Sequence, residues 1–479
     1  MEDLRRARDA AEHADLVEVR LDTVDRPDAA AALHGRRRPV VVTCRASWEG
    51  GRFAGGEEER ERLLRTAADL GAEFVDVEAA AAFAPRLLDA RDGRGIVLSA
   101  HLLGSAGSAA ASAAERYHAM RATRAEVLKL AVEVGSLTEM LPLFDLAAAG
   151  DRGSPPRHVF VAMGRSGVPS RVLAAHLGNR WTYAGDGIAP GQLPAERLVR
   201  ECRFRRIRRD AAIYGVVGNP VLHSLSPAMH NAGFAALGLN AAYVPCEARD
   251  ADDFVRFARA IDLRGASITA PFKVDLVPAM AEVDPIARRV GAINTLVVRD
   301  GRWMGANTDV EGFLRPLIGR IRLKGVRATV LGAGGAARAI AVALADQGAV
   351  VTVSARRPEP ARALAALVGA RVGTFPPDRG SWDILVNATT AGSVSRPGNP
   401  IEGAALDGEI VFDLVYAPAI TPLLAAARAA GCLVIGGLEM LVAQAERQFE
   451  LWTGQRPPHG LFQASAAQAL APSPSSSVL

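Results

Sequence analysis

The sequence is poor in cysteine, in aromatic residues and in long apolar runs. Its 4 cysteines lie far apart and form no CxxC pair, so neither a disulfide framework nor a bound metal is predicted. No uninterrupted apolar run reaches about 18 residues, so no membrane span is expected. The N-terminal segment MEDLRRARDAAEHADL has neither the apolar core nor the cleavage site of a secretory signal, and we therefore expect a protein of the reducing cytoplasm.

A strong excess of charge of one sign is also missing. Lys+Arg 56 against Asp+Glu 52 gives a net charge of +4 in 479 residues, and no dense basic block carries interleaved aromatic residues. The basic run Arg200–Arg209 is more typical of a solvated linker than of a nucleic-acid surface, so no nucleic-acid partner is predicted. An apolar fraction of 49% excludes disorder of the whole chain, and the length favours two domains.

The first half contains short β-branched runs that alternate with helical stretches. Seven runs are predicted to be strands: Leu16–Arg20, Val40–Cys44, Phe74–Glu78, Ile96–His101, Val127–Val132, Val159–Met163 and Trp181–Ala184. Apolar strands that alternate with helices favour a parallel sheet covered by helices. The pattern predicts an α/β domain over residues 1–205, a (β/α)8-type barrel whose first strand is missing.

Polar side chains crowd the carboxyl ends of these predicted strands, the end at which barrel enzymes carry their active sites. Lys129 is the least ordinary of them, because Leu128 and Leu130 flank it within an apolar strand. Burial is expected to lower the pKa of this lysine and to make its amine a candidate nucleophile for a Schiff base. The alternative for each single residue is an ordinary polar side chain at a strand end.

The second half contains a glycine-rich turn between a predicted strand and a predicted helix. Gly332, Gly334 and Ala337 form a GxGxxA pattern, which permits a tight turn, close approach of a pyrophosphate and close helix packing. The next strand ends near Arg356 and Arg357 instead of the acidic residue that binds the ribose of NAD. Guanidinium groups suit a 2′-phosphate, so NADP is predicted; the alternative is that these arginines are solvated surface residues.

These patterns divide the second half into three pieces and a tail. We expect a substrate-binding subdomain at 210–312, a Rossmann nucleotide-binding subdomain at 313–440 and a helix at 441–456 that returns to the substrate subdomain. Residues 457–479 end in a Pro/Ser-rich stretch and are predicted to be disordered.

The motifs of both halves resemble those of known enzyme families. From about Ile213 to Gly454 the sequence resembles shikimate dehydrogenase, through GNPVLHSLSP, SITAPFK, GAINTL, GANTD, GAGGAARA, NATTAG and GLEMLVAQAERQFELWTG. The first half resembles type I 3-dehydroquinate dehydratase, a Schiff-base enzyme, through VEVR, TCRASWEGG, SAH, LKLAV and AMGRSGVPSR. The two families catalyse consecutive steps, and their fusion in this order resembles the plant-type bifunctional enzyme.

For the first half the resemblance implies dehydration of 3-dehydroquinate to 3-dehydroshikimate. Lys129 would form an iminium with the C3 ketone, and His101 would remove the C2 proton as general base, positioned by Glu49. Arg171 would pair with the substrate carboxylate. The residues implied to hold hydroxyl groups and order the pocket are Glu18, Arg20, Arg45 and Gln192.

For the second half the resemblance implies NADPH-dependent reduction of 3-dehydroshikimate to shikimate. Lys273 would give a proton to the carbonyl oxygen, while Asp309 would hold and tune that lysine. The residues implied for substrate binding are Ser224, Ser226, Thr269, Asn294, Tyr416 and Gln444. The residues implied for NADP binding are Gly332, Ala333, Gly334, Gly335, Ala336, Ala337, Ser354, Arg356, Arg357, Asn387, Thr389 and Gly437.

Besides the missing strand, three residues depart from the family patterns: Ile188 stands where serine or threonine is usual, Ser267 replaces an asparagine as in plant-type enzymes, and Ser393 replaces a methionine. Two other interpretations stay open. In one, the first half is a non-catalytic scaffold on a working dehydrogenase. In the other, the second half oxidises quinate or shikimate catabolically with NAD, against which Arg356 argues. In each case we expect a monomer or homodimer that binds small-molecule substrates and no membrane.

Overall fold

A computed structural model describes residues 1–104, 108–149, 157–185 and 191–471. By their contacts, Met1–Ala211 group with Val244–Ile261 in a first unit, and Ala212–Tyr243 group with the residues from Asp262 onward in a second. Ile188 and residues 472–479 lie outside the described residues. None of the helices in the described ranges has the length and apolar character that a membrane crossing requires.

Six parallel strands form the sheet of the first unit, and their order in the sheet is their order in the chain. Parallel neighbours need a crossover connection, which helices mostly supply here. The strands are β1 (Val17–Arg20), β2 (Val40–Thr43), β3 (Phe74–Glu78), β4 (Ile96–Leu102), β5 (Val127–Glu133) and β6 (His158–Met163). The helices are α1 (Glu2–Asp9), α2 (Ala29–Leu33), α3 (Glu57–Asp69), α4 (Ala84–Arg91), α5 (Ser108–Arg121), α6 (Leu141–Ala148), α7 (Val168–Val172) and α8 (Ala195–Arg200). The predicted α/β class is confirmed.

The predicted seventh strand, Trp181–Ala184, is wrong. These residues form no strand, and the described sheet is open between β1 and β6 instead of closed into a barrel. A strand needs a neighbouring strand for its backbone hydrogen bonds, and no described strand pairs with the outer edge of β1 or of β6. The side chains still fill the inner face: the Trp181 ring lies 5.3 Å from the Phe74 ring, and Tyr183 packs against the apolar cluster there.

The inner face of this sheet is apolar toward the amino ends of its strands and charged toward their carboxyl ends. Val97, Val127 and Val159 belong to one buried apolar cluster. Because strand side chains alternate between the two faces, the residues two positions farther along point to the same side. In β4 and β5 these are Ser99 and Lys129, which are register partners. The strand pattern therefore places a lysine on the inner face of the sheet, toward the carboxyl ends of its strands.

A second sheet of six strands is mixed. Its strands are β7 (Ala212–Gly218), β8 (Ala241–Glu247), β9 (Gly265–Ile268), β10 (Glu282–Val283), β11 (Thr295–Arg299) and β12 (Arg302–Ala306). They lie in the order β10-β12-β11-β9-β7-β8, with β9 parallel to β7 and antiparallel to β11. The helices are α9 (Ser226–Ala236), α10 (Ala251–Ala260), α11 (Pro285–Val290) and α12 (Asp309–Leu314). The loops that follow β7 and β9 leave the same edge of the sheet.

A third sheet, within the second unit, is entirely parallel. Its strands are β13 (Arg327–Leu331), β14 (Val350–Ser354), β15 (Arg371–Val372), β16 (Ile384–Asn387), β17 (Ile410–Asp413) and β18 (Leu433–Gly436). Their order, β15-β14-β13-β16-β17-β18, reverses direction beside β13, which is the doubly wound order of dinucleotide-binding sheets. The helices are α13 (Gly335–Asp346), α14 (Pro358–Val368), α15 (Pro422–Ala429) and α16 (Gly437–Thr453).

The expected disorder from residue 457 is wrong for the described part of the tail. Residues Leu461–Leu470 form a helix, α17. Phe462 and Ala466 lie four residues apart on one helix face and are both fully buried. The Phe462 ring lies 5.6 Å from the Phe449 ring and 5.2 Å from the His230 ring. This apolar face anchors a segment whose composition alone suggested a free tail.

Candidate active sites

The Lys129 side chain lies on the inner face of the sheet of the first unit, next to two carboxylates. Its Nζ is 3.0 Å from Asp76 Oδ2 and 3.6 Å from Glu18 Oε1. The Lys129 side chain is only 7% exposed. Thr43 Oγ1 donates a hydrogen bond of 2.7 Å to the same Glu18 oxygen. Strands β1, β3 and β5 thus bring an amine and two acids to one buried point.

The expectation that burial lowers the pKa of Lys129 is wrong in its net direction. Burial does lower this pKa, but the carboxylates of Asp76 and Glu18 outweigh burial and hold it above its ordinary value. The amine is therefore an ammonium group in the resting site. A proton has to leave Nζ before this nitrogen can attack a carbonyl carbon.

Sequence reasoning missed Asp76, which is fully buried. Its Oδ1 accepts a hydrogen bond of 2.6 Å from Ser99 Oγ and lies 2.8 Å from an Arg45 guanidinium nitrogen. Arg45 also donates to Glu78 Oε1 at 3.0 Å. Burial raises the pKa of Asp76, but the Arg45 and Lys129 cations outweigh burial and hold it well below its ordinary value. The alternation in FVDVE was the available signal, because it puts Asp76 and Glu78 on the inner face.

His101 and Glu49 form a second pair at this end of the sheet. The Glu49 Oε2 atom lies 3.0 Å from the His101 backbone N–H and 2.8 Å from its ring Nδ1. This acceptor favours the tautomer with a proton on Nδ1, which leaves the lone pair of Nε2 available as a base. Burial lowers the pKa of His101, and the Arg45 and Lys129 cations lower it further, so the ring is neutral. Burial raises the pKa of Glu49 to about 7, against the opposing effect of Arg45.

Three other residues predicted for this site, Arg20, Arg171 and Gln192, contact neighbouring groups of the protein. Arg20 makes two hydrogen bonds of 2.8 Å to Asp22. Arg171 is 1% exposed and donates a hydrogen bond of 2.6 Å to a backbone carbonyl of β6. Burial lowers the pKa of Arg171 to about 10, and an anion bound beside it would offset that cost. Gln192 is partly buried and lies beside Gly185.

In the second unit, Lys273 and Asp309 form an ion pair. Lys273 follows β9, and Asp309 is the first residue of α12. Asn294 is 2% exposed and holds the pair from the side, because its amide donates a hydrogen bond of 2.8 Å to Asp309 Oδ1. The two residues that the sequence predicts as a catalytic pair are therefore in direct contact.

Asn294 belongs to a buried amide network that sequence reasoning found only in part. The predicted residue Gln444 accepts from the Asn294 amide at 3.3 Å. Gln448, which was not predicted, accepts from Ser267 Oγ at 2.7 Å and donates to the Asn294 carbonyl oxygen at 3.0 Å. Gln448 lies one helical turn after Gln444 on α16, which is the spacing that could have revealed it. Ser267 also accepts a hydrogen bond of 2.5 Å from the Tyr243 hydroxyl.

The predicted substrate-binding residues Ser224 and Ser226 lie at the start of α9. The backbone N–H of Ser226 donates to Ser224 Oγ at 3.2 Å. Thr269 follows β9, and its methyl group would lie 2.5 Å from a Cβ at Gly218, so a larger residue at 218 would have to displace the Thr269 side chain. Tyr416 packs beside the apolar cluster of α9 and α16, and burial raises its pKa. The loops after β7 and β9 carry Ser224 and Thr269, and Ser226 is the first residue of α9.

The glycine-rich turn after β13 has the shape that a dinucleotide needs. Gly332 has a φ of +104°, a conformation that favours glycine, and a Cβ at Gly334 would meet nothing within 4 Å. Ala337 is fully buried against the sheet. A Cβ at Gly335 would lie 3.2 Å from the Lys273 side chain. The first turn of α13, where a pyrophosphate would bind, is thus next to the predicted catalytic lysine.

The predicted residues for the 2′-phosphate lie after β14. Arg356 and Arg357 are exposed, and in the described part of the chain neither forms an ion pair with a carboxylate. Ser354 is buried, and its hydroxyl donates to the Thr374 carbonyl oxygen at 2.5 Å. The two guanidinium groups are therefore available for the 2′-phosphate of NADP. The hydrogen bond of Ser354 fixes the end of the strand that precedes them.

The remaining residues predicted for the cofactor shape the crevice beside β13. Asn387 is fully buried, and its amide donates to Asp413 Oδ1 at 2.8 Å, while Thr389 donates to Asn387 Oδ1 at 2.7 Å. The Thr389 methyl group would lie 3.0 Å from a Cβ at Gly332. A Cβ at Gly437 would lie 2.2 Å from a backbone oxygen. Asn387 and Gly437 thus contact other parts of the protein and help to shape the walls of the crevice.

Comparison with known proteins agrees with this division into two sites. A family model described as type I 3-dehydroquinase matches residues 1–208. The models for the shikimate dehydrogenase substrate binding domain and the shikimate 5'-dehydrogenase C-terminal domain match residues 216–296 and 437–463. The chloroplastic bifunctional 3-dehydroquinate dehydratase/shikimate dehydrogenase of Arabidopsis thaliana is 31% identical over 484 residues, which cover 94% of this chain and 79% of that protein.

Relatives of the second half alone are also similar. Shikimate dehydrogenase (NADP(+)) of Citrifermentans bemidjiense is 42% identical and covers 54% of this chain and 95% of its own length. The crystal structure of shikimate 5-dehydrogenase from Thermus thermophilus in complex with NADP(H) and shikimate matches with a TM-score of 0.50 at 39% identity. That match covers 54% of this chain and 100% of the crystallised chain.

The first half carries a buried lysine among acids on a parallel sheet, and the second half carries a Lys–Asp pair next to the glycine-rich turn of a Rossmann sheet. Together with the family models that match each half, these features define a fused lyase and oxidoreductase. The match to the plant protein extends over both halves. The chain belongs to the family of bifunctional 3-dehydroquinate dehydratase/shikimate dehydrogenases.

Proposed function

We propose that the two sites of this chain catalyse consecutive reactions. The first dehydrates 3-dehydroquinate to 3-dehydroshikimate through a Schiff base on Lys129. The second reduces 3-dehydroshikimate to shikimate with NADPH. The observation that carries the proposal is the pocket in which Lys129 Nζ lies 3.0 Å from Asp76 Oδ2 in the same sheet as the His101–Glu49 pair.

The dehydration begins at the Lys129 ammonium. We propose that the neutral His101 takes a proton from Nζ, after which the free amine attacks the C3 carbonyl carbon of the substrate. The carbonyl oxygen then receives one proton from the attacking nitrogen and one from the protonated His101 ring and leaves as water, which gives an iminium between Nζ and C3 and returns His101 to its neutral form. Asp76 remains ionised beside this nitrogen and stabilises the positive charge, and the iminium acidifies the C2 proton.

His101 then serves as the base for elimination. Its Nε2 removes the C2 proton while its Nδ1–H keeps donating to Glu49. The protonated ring then gives the proton from C2 to the C1 hydroxyl, which leaves as water. Hydrolysis of the iminium releases 3-dehydroshikimate and returns the lysine. Arg171 would hold the substrate carboxylate, while Arg20 is kept in place by Asp22.

The reduction takes place beside the ion pair of Lys273 and Asp309. NADPH, when bound at the turn after β13, supplies a hydride to the carbonyl carbon of 3-dehydroshikimate. Lys273 gives a proton to the carbonyl oxygen, and Asp309 keeps the ammonium group aimed at it. Ser224, Ser226, Thr269, Asn294, Tyr416 and Gln444 would hold the carboxylate and hydroxyl groups of the substrate.

The proposed cofactor is NADP. The relatives of the second half are named NADP(+)-dependent, and two exposed arginines follow β14. We further propose a cytoplasmic monomer or homodimer acting on small-molecule substrates. The four cysteines are free and buried, which suits a reducing compartment.

One observation favours a second candidate function. The described sheet of the first unit has six strands and is open, so the first half could serve as a scaffold for an active dehydrogenase. Assays of the purified full chain distinguish the two. NADPH consumption with 3-dehydroquinate alone requires both activities, whereas NADPH consumption only with added 3-dehydroshikimate identifies a dehydrogenase on a scaffold.

A further inference from the structure

We propose that Tyr183 is a substrate-contacting residue of the dehydratase site, whose hydroxyl donates a hydrogen bond to a ring oxygen of the bound substrate while its aromatic face covers Lys129. The inference rests on the dehydratase activity proposed above. It assigns a role to a residue that follows the last strand of the open sheet and that no sequence motif pointed to.

The first observation is the contact with the reactive amine. Lys129 Nζ lies 4.4 Å from the centroid of the Tyr183 ring. Asp76 and Glu18 approach the same nitrogen at 3.0 Å and 3.6 Å. An aromatic face at this distance attracts a cation, and the iminium formed on Nζ carries the same charge as the ammonium. The ring is therefore placed to stabilise both states of the nitrogen and to shield it from water.

The second observation is the state of the hydroxyl group. The Tyr183 hydroxyl oxygen is buried, and it makes no hydrogen bond of normal geometry with the described residues. A buried polar group without a partner is destabilising, and proteins rarely retain one outside a functional site. A phenol hydroxyl is fixed to its ring, so this group cannot lie far from Nζ. A polyhydroxylated ring bonded to that nitrogen would bring oxygen atoms into its reach.

The protonation state of Tyr183 is consistent with a donor. Burial raises the pKa of Tyr183 to about 12, although the Lys129 cation acts in the opposite direction. The hydroxyl therefore keeps its proton across the working pH range. Hydroxyl and carbonyl oxygens of 3-dehydroquinate are acceptors, so donor and ligand are complementary.

The test compares two variants of the full chain. Tyr183→Phe keeps the ring over Lys129 and removes only the hydroxyl. We expect the KM for 3-dehydroquinate to rise about tenfold, because one hydrogen bond to the substrate is lost, with kcat within about threefold of native. Tyr183→Leu also removes the aromatic face, and we expect kcat and the rate of lysine trapping by borohydride to fall as well.

The stability of Tyr183→Phe separates a substrate contact from a structural role. Because the hydroxyl makes no hydrogen bond of normal geometry with the described residues, its removal should leave the Tm unchanged or raise it. The matched control is Tyr117→Phe, since the Tyr117 hydroxyl lies 3.3 Å from His158 Nδ1, at the amino end of β6. That variant should lose stability and keep the native KM.

A second measurement does not depend on turnover. Binding of 3-dehydroquinate to Lys129→Met, measured by calorimetry with excess shikimate present to fill the dehydrogenase site, should weaken about tenfold when Tyr183→Phe is added. A KM and a 3-dehydroquinate affinity that stay within twofold of their references in the Phe variants overturn the proposal. So does a lowered Tm with native KM, which would make the hydroxyl structural. Absence of dehydratase activity from the native chain would instead refute the function proposed above.

Discussion

Asp76 Oδ2 lies 3.0 Å from Lys129 Nζ, and both side chains are buried on the inner face of the first sheet. The pair explains how an amine can be both buried and charged. The carboxylate holds the resting ammonium, and in the proposed reaction it remains in place when the same nitrogen becomes an iminium. Electrostatic stabilisation of that cation is available before the substrate arrives, because Ser99 and Arg45 fix the acid.

Asp76→Asn should therefore lower the dehydratase kcat by about 10- to 100-fold, since the iminium loses its counter-ion. The pKa of Lys129 should fall in the same variant, because a carboxylate that raises it is removed. Single-turnover trapping with borohydride and the pH dependence of lysine labelling measure the two effects. Reduction of added 3-dehydroshikimate serves as the internal control. A variant with native kcat would show that Asp76 does not act on the cation.

The Glu49–His101 pair makes a prediction about pH. Glu49 has its pKa raised to about 7 by burial, so its carboxylate protonates as the pH falls through that value. Dehydratase kcat should fall with it, because the protonated acid no longer accepts the His101 Nδ1–H. Glu49→Gln should have lower activity and a profile without this limb. Rates from about pH 5.5 to about pH 9 provide the measurement, and an unchanged limb in the variant would assign it to another group.

The same raised pKa has a consequence for stability. Glu49 binds a proton more tightly in the folded than in the unfolded chain. Its favourable contribution to the free energy of unfolding is therefore fully present below its unfolded pKa, and it is lost as the pH rises through about 7. At about pH 8 the Gln variant should be more stable than the native chain, by about 1 to 3 kcal/mol. Urea unfolding at about pH 5 and about pH 8 checks the sign. A variant that is less stable at the higher pH would contradict this prediction.

Arg356→Ala should raise the KM for NADPH about 10- to 100-fold and leave that for NADH within about threefold, because only NADPH carries the 2′-phosphate. Arg362→Ala, an exposed arginine on α14, is the control and should change neither constant. Equal effects on both cofactors would remove Arg356 from phosphate binding. A native preference for NAD would favour the catabolic alternative.

The order of the strands was predictable where the sequence pattern indicates a strand and the fold supplies a neighbouring strand to pair with it. The six apolar runs from Leu16 to Met163 become β1 to β6, because each has a parallel neighbour. Trp181–Ala184 has the same local pattern, but no described strand lies beside it to pair with its backbone. A local sequence pattern does not show whether a pairing strand is present. The helix at Leu461–Leu470 was missed for a related reason: its stability depends on a face that packs against other helices.

The candidate site residues could be named from the sequence where a motif contains them, but their charge state could not be predicted. Lys129, His101 and Glu49 are found through their motifs and meet at one end of the sheet. The direction of the Lys129 pKa depends on Asp76 and Glu18, which come from strands more than fifty and a hundred residues away in sequence. Burial alone predicts a lowered pKa, and only the register of the strands reveals the two acids.

The central claim is that one chain carries two working sites in series. NADPH consumption with 3-dehydroquinate as the only substrate tests it most directly, with native chain, Lys129→Ala and Lys273→Ala compared at equal concentration. The native chain should oxidise NADPH. Lys129→Ala should fail with 3-dehydroquinate and recover with 3-dehydroshikimate, and Lys273→Ala should produce 3-dehydroshikimate without oxidising NADPH. A native chain that oxidises NADPH only with added 3-dehydroshikimate would contradict the account.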